Sequence, residues 1–183
     1  MLPLARRIVC RDLESYHTAQ MYTDQVDLYH DFALDILDIY RAQSPVSDSK
    51  IAIINCNPYI RSEDTIQLFL SFARQYPDHQ LYFIPGDMNE DLSYYYQLQT
   101  MIPHLQLYDW TKYSIPEICK FFAQVSFGIG ARLHILMLLH YFQKPFQALT
   151  YQDKIIKILG QSPWMQVLVK IPQTGTDKSR IQK

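Results

Sequence analysis

The segment Phe127-Gly128-Ile129-Gly130-Ala131-Arg132-Leu133-His134 places a cation and a titratable ring just after two glycines, where an apolar run gives way to a helical pattern. A strand that turns through glycine into a helix brings free N–H groups and the positive end of the helix dipole to the turn, which suits an anion. Gly128 and Gly130 permit a tight backbone and close approach of a ligand. Arg132 and His134 fall in the first helical turn, and helical side chains lean toward the N-terminus, so both can reach that anion. Arg132 can fork a carboxylate or phosphate. His134 can donate a proton or hydrogen-bond a phosphate oxygen. The same residues have a plainer reading, in which Arg132 pairs with an acid and His134 is a satisfied core histidine. The rest of the helix, Ile135 to Phe142, is apolar nearly all round and belongs at the centre of a domain, buried on both sides.

Three other places deserve the same two-sided reading. Val9-Cys10-Arg11-Asp12 ends a short strand on an arginine and opens a turn on an acid; by itself it reads as a surface Arg–Asp pair with a helix cap. Thr150-Tyr151-Gln152-Asp153-Lys154 again follows a strand and precedes a helix. Lys154 can supply a positive point charge near the same cleft, or the segment is a capped helix start with Asp153 favouring the dipole. Pro85-Gly86-Asp87 through Glu90-Asp91 heads a helix with acids that suit that place without any ligand; they are not spaced as a metal site and read as structural. The run Tyr94-Tyr95-Tyr96 is either a sugar platform or one buried ring with two half-exposed ones. His17, His30, His79, His104 and His140 have no ligand spacing, and no H-E-x-x-H, P-loop or nucleophile-elbow pattern occurs.

The elements that must position these residues alternate. Short strands are expected at 8–11, 50–55, 80–84, 105–108, 125–129 and 146–149. Helices are expected at 13–21, 63–75, 90–101, 114–123, 130–142 and 152–159, with Ser114 and Glu117 spaced as a capping box. Residues 27–40 have mixed spacing, helical in the second half. Ser44-Pro45 to Ser49 is rich in turn formers and marks a boundary. Such alternation implies βαβ units and a parallel sheet covered on both faces, with ligands beyond the C-terminal strand ends.

The 183 residues, 48% of them hydrophobic, suffice for one domain with a substantial core, or for one domain and part of a second. Seventeen basic and eighteen acidic residues leave a net charge of −1, so nothing points to nucleic acid, and an anion site must be local. Cys10, Cys56 and Cys119 are too widely spaced for a zinc site or disulfide framework and read as buried thiols of a reducing compartment. The start MLPLARR lacks an apolar signal core, and the longest apolar run is too short to cross a bilayer. A cytoplasmic protein, peripheral to the inner membrane face at most, is the expectation.

Taken in order, these segments resemble the polysaccharide pyruvyl transferase family over roughly residues 5–160. Val9-Cys10-Arg11-Asp12 with Ser15 is similar to its V-R-D-x-x-S segment, and Asp31-Phe32-Ala33-Leu34, with a different spacing, to its D-x-x-F-type segment. Phe83 to Asp87 with Glu90-Asp91 resembles its mid-domain strand and acidic helix start. Gly128 to His134 resembles its R-L-H segment, and Lys144-Pro145-Phe146 through Thr150-Tyr151 and Asp153-Lys154 its P-F-x-x-L-x-Y-x-x-K segment. The R-L-H and Y-x-x-K pair after successive strands is the specific part.

The resemblance implies an α/β chain: a Rossmann-like parallel sheet with helices on both faces, the second domain of a GT-B-like fold, preceded by a remnant of a first domain. By that comparison residues 1–43 are the remnant and linker and 44–165 the Rossmann-like domain; the end of the chain, polar and charged in its last stretch, reads by composition as a partly disordered tail over 166–183. It implies phosphoenolpyruvate as donor and a sugar or lipid-linked saccharide as acceptor, with no metal or organic cofactor. His134 and Arg132 would be catalytic, and Arg11, Gly130, Arg132, Leu133, His134 and Lys154 would bind substrate. A homodimer or a partner chain would complete the cleft. Competing readings are a nucleotide-sugar GT-B glycosyltransferase fragment, a non-catalytic partner subunit, and a plain Rossmann-like domain in which Arg132 and His134 only pack.

Overall fold

The computed structural model describes residues 7–10, 13–29, 37, 49–60, 62–150 and 153–170. The chain divides into two compact units, Met1–Ser44 and Pro45–Lys183. In the first, strands β1 (Ile8–Cys10) and β2 (Val26–Leu28) pair in parallel across helix α1 (Leu13–Gln20). Cys10, Ala19 and Val26 are its buried core, with Ile8 and Tyr16 packed on them. An exposed Arg7–Asp27 ion pair joins the two strands. The stretch from Asp27 thus begins as a strand. Its expected helical half lies outside the described residues, apart from Leu37, which is helical.

The second unit runs β3 (Ile51–Ile54), α2 (Glu63–Gln75), β4 (Gln80–Phe83), α3 (Leu92–Met101), β5 (Gln106–Leu107), α4 (Ile115–Gln124), β6 (Val125–Gly130), α5 (Leu133–Tyr141), β7 (Phe146–Thr150), α6 (Asp153–Leu159) and β8 (Met165–Lys170). All six strands are parallel, in the order β5-β4-β3-β6-β7-β8. The chain starts at the centre, grows to one edge, then returns and grows to the other. With right-handed crossovers this reversal puts helices on opposite faces, and it is the strand order of a doubly wound Rossmann sheet.

Side-chain alternation agrees. Ala52, Ile54, Leu81, Phe83 and Ile129 share a core with α2 and α3, through Ile66, Phe69, Tyr94 and Leu98. On the opposite face the Tyr82 ring meets Phe121 of α4 edge-on at 5.3 Å, and Gly128 lies against Leu139 of α5. All four residues of β3 are buried, as a central parallel strand requires.

Local signals set the helix ends. Ser62 accepts the Thr65 amide at 3.2 Å to cap α2. The expected Ser114–Glu117 cap forms, the Glu117 carboxylate accepting the Ser114 amide at 2.8 Å. The buried Lys144 ammonium donates to the Ala123 carbonyl in the last turn of α4 at 2.6 Å, a cation where the helix dipole favours one.

Three boundaries depart from the sequence reading. Helix α3 starts at Leu92 rather than Glu90, because Asp87 takes the Asn89 and Glu90 amides into a turn. Helix α5 starts at Leu133, and Gly130 is the last residue of β6. Residues 165–170, mostly assigned to the tail, form β8, paired with β7 from Phe146↔Met165 to Thr150↔Lys170. The expected tail from 171 lies outside the described residues. Among the described residues, no helix is long and apolar enough to cross a membrane.

Gly128 is required by packing, since a Cβ there would lie 2.5 Å from Leu139 Cδ1 and 2.9 Å from Ile53 Cγ1. Gly128→Ala is therefore expected to lose about 1–3 kcal/mol of stability by overpacking, read as a lower urea midpoint with an unchanged slope.

Candidate functional site

The strand order reverses between β3 and β6, and the chain's polar groups converge beyond their C-terminal ends. Asn55, the residue after β3, is fully buried. Its Nδ2 donates to the Ile84 carbonyl beyond β4 at 2.6 Å. Its Oδ1 accepts the Arg132 amide at 2.7 Å and, more weakly, the Ala131 amide at 3.4 Å. One side chain thus ties together the ends of three neighbouring strands and fixes where α5 begins. Gly130 makes room for it: a Cβ there would sit 2.9 Å from both the Asn55 Cβ and the Asn55 carbonyl oxygen. The approach that demands glycine at 130 comes from Asn55, where the sequence suggested a ligand.

Arg132, the N-cap of α5, extends across to the β4–α3 turn. Its Nε donates to Asp91 Oδ2 at 3.1 Å and its Nη2 to Asp91 Oδ1 at 2.5 Å, a two-point fork. The same Nη2 donates to Glu90 Oε2 at 2.8 Å. The two acids differ in setting: the Asp91 side chain is 0% exposed, the Glu90 side chain 44%. Asp91 also accepts the Gly86 and Asp87 amides, at 2.8 and 3.0 Å. Burial works against the Arg132 charge, but the hydrogen bonds and negative charges of Asp91 and Glu90 outweigh it and hold the guanidinium above its usual range. Asp87 is held below the usual carboxylate range by the Glu90 and Asn89 amides it accepts.

These acids have structural work, as the sequence suggested: Asp87 closes the turn, and Asp91 and Glu90 hold Arg132. The arginine accordingly does pair with acids. What remains for a ligand is narrower than the sequence implied. No described residue takes Arg132 Nη1, and the Leu133 and His134 amides have no backbone partner among the described residues.

His134 is exposed rather than a core histidine, in the first turn of α5. Lys154 is exposed in the first turn of α6, on the same edge of the sheet. Arg11 lies outside the described residues, as do Asp31 to Leu34, Tyr151 and Gln152.

The same edge holds groups that the sequence reading passed over. Asn57 is fully buried; its Oδ1 accepts the Tyr59 amide at 3.0 Å, and its Nδ2 has no partner among the described residues. The Trp110 indole N–H donates to the Pro85 carbonyl at 2.8 Å and braces the turn that carries Gly86. The tyrosine run resolves differently from both expectations: Tyr94 and Tyr95 are buried and only Tyr96 is exposed. Cys56, next to Asn55, is buried, and its thiol is pushed well above its ordinary value by desolvation. No group of His, Cys, Asp and Glu suited to a metal ion occurs among the described residues.

The sequence model of the family described as polysaccharide pyruvyl transferase matches residues 2–153. No protein of curated function matches the chain by sequence. Among solved structures, the chain is similar to the UDP-GlcNAc 2-epimerase of Neisseria meningitidis bound to UDP-GlcNAc, with a TM-score of 0.65 and 12% identity, covering 93% of this chain and 50% of that one. It is also similar to S. aureus MnaA in a co-structure with UDP, with a TM-score of 0.58 and 13% identity, covering 81% of this chain and 44% of that one. The chain therefore spans about half the length of these solved structures. At such identity the likeness is one of fold.

The two carboxylates on Arg132 should separate in their effect on stability. Asp91→Ala strands a partly buried guanidinium and two backbone amides, and about 3 kcal/mol or more is expected to be lost. Glu90→Ala removes an exposed partner and should cost under about 1 kcal/mol. Urea unfolding of both variants at neutral pH measures the difference.

Proposed function

The chain belongs to the polysaccharide pyruvyl transferase family, and on that premise we propose that it binds phosphoenolpyruvate at the head of α5 for transfer of the pyruvyl group to a saccharide. The observation that carries this reading is the opening of α5. Arg132, Leu133 and His134 stand in sequence at the point where the strand order reverses, with Arg132 Nη1 and two leading amides unclaimed by described residues. A doubly wound sheet takes its ligands at that position, and a helix start with a cation suits a carboxylate or phosphate.

In the proposed reaction, protonation of the enol methylene of phosphoenolpyruvate turns CH2 into CH3 and leaves positive charge at C2. A sugar hydroxyl adds its oxygen to C2 and gives up its proton. A neighbouring hydroxyl then forms the second C–O bond as the C2–O bond to phosphate breaks, and its proton leaves with the phosphate. The products are a cyclic ketal and inorganic phosphate, and no metal or organic cofactor enters the balance. Arg132 holds the donor anion, and the Leu133 and His134 amides assist it. His134 stands at the helix head as the acid for the methylene or for the departing phosphate. Lys154 adds a point charge on the same edge. The acceptor is a sugar of a cell-surface polysaccharide or its lipid-linked precursor.

A second reading, in which Arg132 serves structure alone, draws support from its two acidic partners. Thermal unfolding with phosphoenolpyruvate, against matched phosphate and pyruvate, separates the two. A ligand at about 100 times its Kd stabilises the folded state by about 2.7 kcal/mol, roughly 5–10 °C in a domain of this size. A shift specific to phosphoenolpyruvate and lost in Arg132→Ala is expected; no shift in the wild type would sink the donor reading.

A further inference from the structure

We propose that Asp91 is a positioning residue for Arg132, and that Gly86 is the floor across which the two are set. The proposal rests on the donor-binding reading of Arg132 given above. Asp91 is fully buried, and its two oxygens meet four donors: the Gly86 and Asp87 amides, Arg132 Nε and Arg132 Nη2. The backbone amides fix the carboxylate. The carboxylate then fixes the guanidinium at two points, which sets the plane of the group and turns its remaining Nη1 edge in one direction. An arginine so fixed meets an anion without first having to be ordered, and a planar anion gains from the fixed fork.

Gly86 completes the device. A Cβ at this residue would lie 2.7 Å from Arg132 Cγ and 3.0 Å from Cδ, so the arginine stem passes directly over the bare backbone. The Gly86 φ is outside the left-handed region, so space for Arg132, and not turn geometry, is what requires glycine here. Trp110 holds the preceding carbonyl, that of Pro85.

Position and charge make opposite demands on the variants. Asp91 is a negative charge beside the proposed place of an anionic donor. If net charge alone mattered, Asp91→Asn would tighten binding. If Asp91 positions Arg132, the same change weakens it. Gly86→Ala leaves every charge in place and displaces only the arginine stem, and it keeps the test open where Asp91→Asn does not fold.

The test uses the full chain, with phosphoenolpyruvate as probe, in calorimetric titrations below the unfolding midpoint of each variant. The arginine Nε–H region of a 15N-correlated NMR spectrum is recorded alongside. The Arg132 signal, identified by its loss in Arg132→Lys, is expected to be protected from exchange in the wild type. Asp91→Asn and Gly86→Ala should each lose that protection, keep the backbone spectrum of the fold, and weaken phosphoenolpyruvate binding about tenfold or more. Loss of protection with unchanged affinity, or tighter binding by Asp91→Asn, overturns the proposal. A wild type that does not bind phosphoenolpyruvate, or an Arg132→Ala variant that binds as well as the wild type, overturns the donor reading itself; a protected signal then marks a structural ion pair.

Discussion

An arginine with only 21% of its side chain exposed must have its charge answered nearby, and the sheet end around Arg132 is organised by that demand. Asp91 answers it, but a buried carboxylate carries the same cost, and one positive partner does not satisfy its oxygens. The Gly86 and Asp87 amides supply the rest. The turn after β4 therefore folds around a carboxylate, and the carboxylate around an arginine that arrives from the end of β6. A buried pair of this kind adds little net stability compared with well-packed apolar groups, yet removing one half is severe. Its value lies in geometry: it admits one arrangement of the β4–α3 turn and the head of α5.

Asn55 does for the backbone what Asp91 does for the charge. Beyond a parallel strand the main chain leaves the ladder and its polar groups need new partners. By donating to Ile84 and accepting from Arg132, a single amide side chain spans β4, β3 and β6. It also takes up donors at the start of α5 that an anion would otherwise meet. The leading amides left without a backbone partner among the described residues lie one step further in, at Leu133 and His134. Two amides and one guanidinium edge are scaled to a single carboxylate or phosphoryl group.

Much of this architecture was legible from local pattern. The alternation of strands with helices, the Ser114–Glu117 cap and the strand-turn-helix around Arg132 all depend on residues within a few positions of one another. What could not be read depends on distance along the chain. Asp91 is 41 residues from Arg132 and Asn55 is 77 residues from it, and nothing local pairs them. At the end of an apolar strand Asn55 looks like a simple terminator. Gly128 and Gly130 misled for the same reason, since both are demanded by neighbours from other elements, as is Gly86. Three consecutive tyrosines give a periodicity argument nothing to work on, so which ring is exposed waits on the register of α3. Strand β8 carries apolar residues in Met165-Gln166-Val167-Leu168-Val169, but the polar run behind it drew the whole end of the chain into the tail.

The reversal of strand order also has a bearing on when the site comes into being. Within the six-stranded sheet, β3, β4 and β5 and their two helices emerge first and can assemble from neighbouring segments. The contacts that define the site wait for β6, and the Asn55 clasp closes a loop of more than seventy residues. Long-range closure of this kind is slow relative to local assembly. On a growing chain the sheet's first half would hold Asn55 and Asp91 with their Ile84, Gly86 and Asp87 partners but without Arg132, the contact that joins them to β6. The arrival of one arginine would thus end a period of vulnerability for the nascent chain.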